Sequence, residues 1–475
     1  MKTDQDPDFF LNVQNELSNG RAWLDRGIVL GYAVLAGLSV VLFTMLSEWA
    51  FGWFLHGFEA APWAVLLWTP ALTAFIVWVT RRFVPGAAGS GIPQVIAAQA
   101  PHLATDKRRH FVSVKLSIAK VLLSTAGLFA GLSLGREGPS VQVAAGIMHN
   151  ARRWLRGGHS GLGDYALLVA GGSAGIAAAF NAPLAGVVFA IEELSRKIES
   201  RSSGLIIAAI VLAGLMGVSV FGNYSYFGSI AIPRIGWSAF LPGLLVALAC
   251  GVLGGLFSRL LVASLTGTGD RVSRWRQRYP VHFAALGGLA IAVIGLVSAG
   301  ATFGAGGEEV RRMLAGEGDP SRLYTLLKFL ATWITTWCGV PGGIFAPSLS
   351  IGAGIGYDVA QLTMGPNAAE IAPVLIAMGM AGFLAAVTQA PLTAFIIVME
   401  MIDGRPLVLT LMASAMLASL VSRMISRPLY ATLAEKMLQG VIGSTTPPTP
   451  ASADPEPPES ASESTKTPGG QNDRT

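Results

Sequence analysis

Of 475 residues, 52% are hydrophobic and 13% charged, and the formal net charge is only +5. A soluble domain carries about a quarter charged residues, so a soluble globular protein is excluded and a polytopic membrane protein is implied. The basic runs, KRRH at 107–110, RRWLR at 152–156 and RVSRWRQR at 271–278, sit between apolar stretches. That placement fits loops that set topology or touch anionic lipid, and does not imply a nucleic-acid partner.

Residues 1–27 mix acids, bases and Asn, without the basic start, apolar middle and cleavage site of a secretory signal; a cytoplasmic N-terminal segment is expected. Apolar stretches follow at roughly 28–50, 62–80, 112–133, 164–194, 204–222, 237–263, 281–303, 325–357, 371–400 and 406–425. Several are cut by Gly and Pro or depart from the roughly 20 residues of one straight span. Broken helices are therefore expected, at membrane depth only where protein or a water-filled cavity satisfies the backbone, and such breaks point toward a transport path.

The first break is GSGIPQ, Gly89 to Gln94. The second, GREGPSVQVAAG from Gly135, brings Arg136 and Glu137 into an apolar neighbourhood, where ionisable side chains are costly and mark substrate paths. A structural ion pair between the two is the alternative. Glu192 and Glu193 close the run PLAGVVFAI before Ser-Arg-Lys; in isolation they read as acids at a solvated helix end. GGIFAP at 342–347 is a further break, and beyond Gly440 a Pro/Ser/Glu-rich stretch, 441–475, is expected to be a disordered tail.

The chain also echoes itself. GREGPSVQVAAG from Gly135 aligns with GIFAPSLSIGAG from Gly343, and NAPLAG around Pro183 with QAPLTA around Pro391; 343 − 135 and 391 − 183 both give 208. A weaker match sets Gly89-Ser90-Gly91 against Gly304-Ala305-Gly306. Two membrane repeats are read, 28–222 and 236–440, joined by 223–235. Repeats in transporters commonly have opposite orientation, with the site near the midplane.

Gly-x-x-x-Pro-Ser before an apolar run marks a helix N-terminus inside the membrane, since Pro is tolerated in the first turn and Gly permits close approach. Such an end presents unpaired N–H groups and partial positive charge, which suit a desolvated anion. A carboxylate placed there, as Glu137 would be, competes with the anion until protonated, linking proton uptake to anion occupancy. In the second repeat Glu192 aligns with Glu400 whereas Glu193 aligns with Met401, so Glu193 has no counterpart. The histidines have no partners at ligand spacing and the two cysteines, Cys250 and Cys338, lie in apolar surroundings, so no metal or other cofactor is expected. No HExxH, GxSxG or phosphate-cradling GxxxxGKS/T stands in the chain, which argues against an enzyme or an ATP-driven pump.

Together GSGIP at 89–93, GREGP at 135–139, GGIFAP at 342–347 and Tyr430 in RPLYATL resemble the CLC chloride channel and transporter family, in that family's order and over nearly the whole membrane portion. The resemblance implies an all-α polytopic fold of inverted repeats with many tilted, broken helices, and a homodimer in the lipid bilayer with one anion pathway per subunit. It implies an anion site of Ser90, Gly91, Ile92, Arg136, Gly138, Ile344, Phe345 and Tyr430, in which Ser90 and Tyr430 supply hydroxyls and Ile344 and Phe345 backbone amides. Glu137 matches the family's external gating glutamate, and Glu193 the inner glutamate that relays protons in antiporter-type members. Chloride and protons are the implied substrates, with a passive chloride channel as the alternative. Rivals of other kinds are a membrane-embedded enzyme or scaffold and a sodium-coupled symporter. Serine at 90 resembles the chloride-preferring pattern rather than the nitrate one, and with Tyr430 it argues against the fluoride-exporting branch. Gln94 stands where the family often has glutamate and Ile96 replaces an acid, so Lys120 is expected to lack a familiar ion-pair partner. The absence of nucleotide-sensing domains resembles prokaryotic members of the inner membrane.

Overall fold

A computed structural model describes residues 20–443, apart from 102, 156–162, 196–202, 223–225, 229–238, 268, 318–319 and 365–367. The tail from 444 and most of the expected connection at 223–235 lie outside the described residues. Among these residues the chain is helical, and its only strand-like pairing is an isolated antiparallel bridge between Gly135 and Gly343.

In the first half, α1 (Gly20–Ala60), α2 (Val65–Phe83), α3 (Ile92–Ala98), α4 (Val114–Phe129), α5 (Glu137–Asn150), α6 (Asp164–Phe180), α7 (Pro183–Phe189) and α8 (Ser203–Phe221) follow one another. The second half holds α9 (Phe240–Thr266), α10 (Arg271–Arg278), α11 (Pro280–Val297), α12 (Gly307–Ala315), α13 (Tyr324–Cys338), α14 (Phe345–Met364), α15 (Ala368–Thr388), α16 (Pro391–Met401), α17 (Val408–Ile425) and α18 (Leu429–Gly443). Seven helical stretches among the described residues are long and apolar enough to cross a bilayer. The over-long stretches of the sequence break as the Gly/Pro signals require. Residues 164–194 divide at Asn181 (φ 54°), 371–400 at Gln389 (φ 61°) and 325–357 at Gly339 (φ 81°). Asn181 and Gln389 each precede an Ala-Pro pair, and the proline opens the next helix.

The core is packed through small residues, as expected where lipid offers no hydrophobic drive between helices. A Cβ on Gly379 would lie 2.1 Å from the Gly352 carbonyl oxygen, so α14 and α15 approach backbone to backbone. The positions 208 residues earlier do the same job: a Cβ on Gly171 would lie 2.8 Å from the Ala144 carbonyl oxygen, between α5 and α6.

Charge divides the two ends of the bundle. Arg108 and Arg152 pair with Asp164 at the start of α6, and Tyr165 donates to Ser195 at 3.2 Å, which puts the end of α5 beside the Glu193 turn. Arg109, Lys115 and Arg153 cluster at that end, making it the basic face. At the opposite end a cavity of about 1590 Å³ is lined by Glu48, Glu308, Glu400 and Asp403, with Arg136, Arg311 and Arg405 among them.

Candidate anion site between broken helices

Three interrupted helices meet at one point. Gly135 N–H donates to the Gly343 carbonyl at 2.8 Å and Gly343 N–H donates back at 2.7 Å, clasping the two repeated motifs. Gly342 N–H donates to the Gly89 carbonyl at 3.1 Å, bringing in the third. Around this clasp α3, α5 and α14 all begin. Their first amides have no intrahelical acceptor.

The backbone leaves no spare room. A Cβ on Gly138 would sit 2.3 Å from Ser90 Oγ, and one on Gly91 (φ +112°) would sit 2.6 Å from the Gly138 carbonyl oxygen. The glycines of GSGIP and GREGP are therefore demanded by mutual approach, and the approach delivers the Ser90 hydroxyl to the start of α5. Ile92, Ile344 and Phe345 are buried around it. The Phe345 ring stacks on Tyr430 with centroids 6.1 Å apart and planes 14° off parallel, which fixes the phenol. Tyr430 OH is adjacent to the Ser90 hydroxyl. Both oxygens are buried, and neither makes a well-formed hydrogen bond among the described residues. Buried hydroxyls are normally satisfied, so this pair is available to a ligand at the helix starts.

Glu137, 1% exposed, opens α5. Its carboxyl lies close to the backbone amides of Arg136, Glu137 and Ala346, the donors that an anion at these helix starts would use. Its Oε2 has no hydrogen-bond partner among the described residues. Arg136 does not neutralise it through a direct ion pair. The guanidinium turns into the outer cavity, where it donates to Glu48 Oε1 at 3.0 Å and lies over the Tyr226 ring. The alternative of a structural Arg136–Glu137 pair is thereby removed, and the Arg136 side chain is committed away from the hydroxyl pair.

Lys120 stands as expected, without an ion pair among the described residues. It has no acid partner, yet it is fully buried and its Nζ donates to the carbonyls of Ala87 at 2.8 Å and Gly89 at 2.5 Å. Burying an ammonium costs several kcal/mol, and two bonds from a charged donor return about 1.5–3 kcal/mol each, so the lysine roughly breaks even while holding the Ser90 loop. Gln94 acts on the same loop: its Oε1 accepts from Gly91 N–H at 3.0 Å and its Nε2 donates to the Ala88 carbonyl at 2.5 Å. A glutamate there would lose the second bond. Amide and lysine together hold the loop without an acid.

Glu193 lies apart, in the π-helical turn Ala190–Leu194 toward the basic face, and Tyr430 is within electrostatic reach of both it and Glu137. Its neighbour is not a solvated acid. Glu192 accepts from the amides of Leu392 at 3.0 Å and Thr393 at 2.6 Å, capping α16. Glu400 accepts from the amides of Leu184 at 3.2 Å and Ala185 at 2.7 Å, capping α7. The 208-residue offset aligned these two glutamates; their exchange of helix ends was not visible in the sequence, because each cap spans some 200 residues.

The family profile described as "Voltage gated chloride channel" matches residues 72–423. The chain belongs to the voltage-gated chloride channel family. A relative in Cronobacter sakazakii, named H(+)/Cl(−) exchange transporter ClcA, is 31% identical over 427 residues, 85% of this chain and 88% of the relative. One of the same name in Klebsiella pneumoniae subsp. pneumoniae is 31% identical over 81% of this chain and 80% of its own. Among solved structures, a slow cyanobacterial Cl−/H+ antiporter superposes with a TM-score of 0.75 at 24% identity, covering 87% of this chain and 98% of that one. The family resemblance read from GSGIP, GREGP, GGIFAP and Tyr430 is thus borne out, as is the all-α membrane fold. The chain is a multi-pass membrane protein of the voltage-gated chloride channel family.

Proposed function

We propose that the chain exchanges chloride for protons across a bacterial inner membrane. The observation that carries this is the placement of the Glu137 carboxyl among helix-start amides, at the helix starts that the buried hydroxyls of Ser90 and Tyr430 approach. Chloride at those amides and an ionised Glu137 exclude one another; a protonated Glu137 has no charge to hold it there and yields the seat. Glu193, reached from the basic face, supplies the proton from inside. The positive-inside bias makes that face cytoplasmic. Ser90, Gly91, Ile92, Gly138, Ile344, Phe345 and Tyr430 form the seat on this reading, and Arg136 gives its mouth positive charge through the outer cavity. The relatives named as exchange transporters support exchange over passive flow.

The 208-residue correspondences support two repeats, 28–222 and 236–440. Exposed apolar side chains on α7, α8, α16 and α17, among them Leu184, Leu215, Leu392 and Met416, support a second copy of the chain as partner within the bilayer. Reconstitution in liposomes with an imposed chloride gradient tests the function: protons should move uphill against their own gradient. Chloride flux with no proton movement selects the passive channel instead; flux that requires sodium selects a symporter; no chloride flux rejects transport altogether.

A further inference from the structure

On the basic face, a second cavity of about 560 Å³ opens between the start of α4 and the end of α5, a volume typical of small-ligand clefts. Arg109 and Lys115 line one wall and Arg152 and Arg153 the other, and no carboxylate is among the lining residues. The nearby acid, Asp164, is occupied by Arg108 and Arg152, with His149 Nε2 at 3.6 Å. Among the described residues Arg109, Lys115 and Arg153 have no ion-pair partner. Topology-setting charges need only lie on the right side of the membrane; these converge on one concavity. The start of α4 lies in its wall as well. Ser113 Oγ accepts from Leu116 N–H, while Val114 and Lys115 supply the first-turn amides.

The surroundings say what kind of anion belongs there. Val114 lines the cavity, and from it Ile118 and Leu122 continue along the same face of α4, at 40%, 58% and 57% exposure. An apolar lane four residues per step therefore leaves the basic cavity and climbs into the bilayer. Trp154, 65% exposed and donating to Tyr32 OH at 3.0 Å, stands beside Arg153 as interfacial tryptophans do. A soluble phosphate ester would use the cations and leave the lane unexplained. We propose that this cavity seats the phosphate of an anionic phospholipid of the inner leaflet, with an acyl chain laid along Val114, Ile118 and Leu122.

The test uses the full-length protein in detergent, stripped of lipid and then offered equal amounts of phosphatidylglycerol and phosphatidylcholine, with retained lipid counted by native mass spectrometry. Phosphatidylglycerol should be preferred, and the preference should fall about fivefold for each cation removed, vanishing in Arg109→Ala/Lys115→Gln/Arg153→Ala. Should that triple variant fail to fold, Arg153→Ala alone must lower it in the same direction. Arg271→Ala/Arg274→Ala, on α10 and outside the cavity, should keep the preference. If it loses as much as the triple variant, the effect is a diffuse surface charge and the site does not exist. Equal retention of both lipids by the unaltered protein overturns the proposal too. sn-Glycerol 3-phosphate should bind far more weakly than the lipid; if it binds as well, the ligand is a soluble phosphate ester and the lipid assignment falls.

Discussion

Glu137 and Glu193 are separated along the path, and the proposed exchange gives them different duties. Replacing Glu137 with Ala should leave chloride flux in liposomes while removing its dependence on protons, because the competitor for the seat is gone. Glu193→Ala should also let chloride pass while proton movement under a chloride gradient disappears; full proton coupling in that variant would remove Glu193 from the relay. Tyr430→Ala should loosen coupling and weaken central anion binding, and unchanged chloride affinity by calorimetry would count against a role for the hydroxyl. Gly138→Ala sets a methyl 2.3 Å from Ser90 Oγ, so the hydroxyl must move. Chloride affinity by calorimetry should then drop several-fold, about 1 kcal/mol for one displaced hydrogen bond. The helix starts that carry Ser90, Glu137 and Ile344 were legible because breaks at membrane depth need Gly and Pro, which punctuate a sequence strongly, whereas Glu193 and Tyr430 stood out only through the family resemblance. Lys120 was not, since its partners are the carbonyls of Ala87 and Gly89, and backbone acceptors leave no trace in residue types.

At the level of elements, the proposed exchange gives the adjacent acids at the end of α7 unrelated work. Glu192 satisfies the first amides of α16 and Glu400 those of α7, so each half holds the other's helix start. Removing a cap typically costs about 1 kcal/mol, and a carboxylate accepting two amides stands at the upper part of that range. Glu192→Gln and Glu400→Gln should each lower the midpoint of thermal unfolding in detergent, whereas Glu193→Ala should leave it nearly unchanged while abolishing coupling. A melting profile in which all three behave alike would mean that Glu192 and Glu193 are not functionally distinct. The alignment of Glu192 with Glu400 was readable from one offset, but a helix start 200 residues distant was not. The breaks at Asn181 and Gln389 were foreseeable only as regions, because a left-handed non-glycine residue carries no strong compositional mark.

Across the whole molecule the proposed duplication reaches the buried lysines. Lys328, 208 residues after Lys120, donates to the carbonyls of Thr302 at 3.0 Å and Gly304 at 2.8 Å, gripping the loop that corresponds to Gly89-Ser90-Gly91. Lys328→Met and Lys120→Met should both lower the midpoint of thermal unfolding in detergent, each by leaving two carbonyls without their donor. Only Lys120→Met should alter chloride affinity as well; if both variants shift it equally, the second loop shares in the site. The two grips match but the loops do not, for Ser90 has Ala305 as its counterpart. A machine assembled from two faithful mirror halves would present the same face to either side of the bilayer. On the proposed reading, the hydroxyl of Ser90 and the carboxyl of Glu193, with no equals at Ala305 and Met401, give the conduit a front and a back.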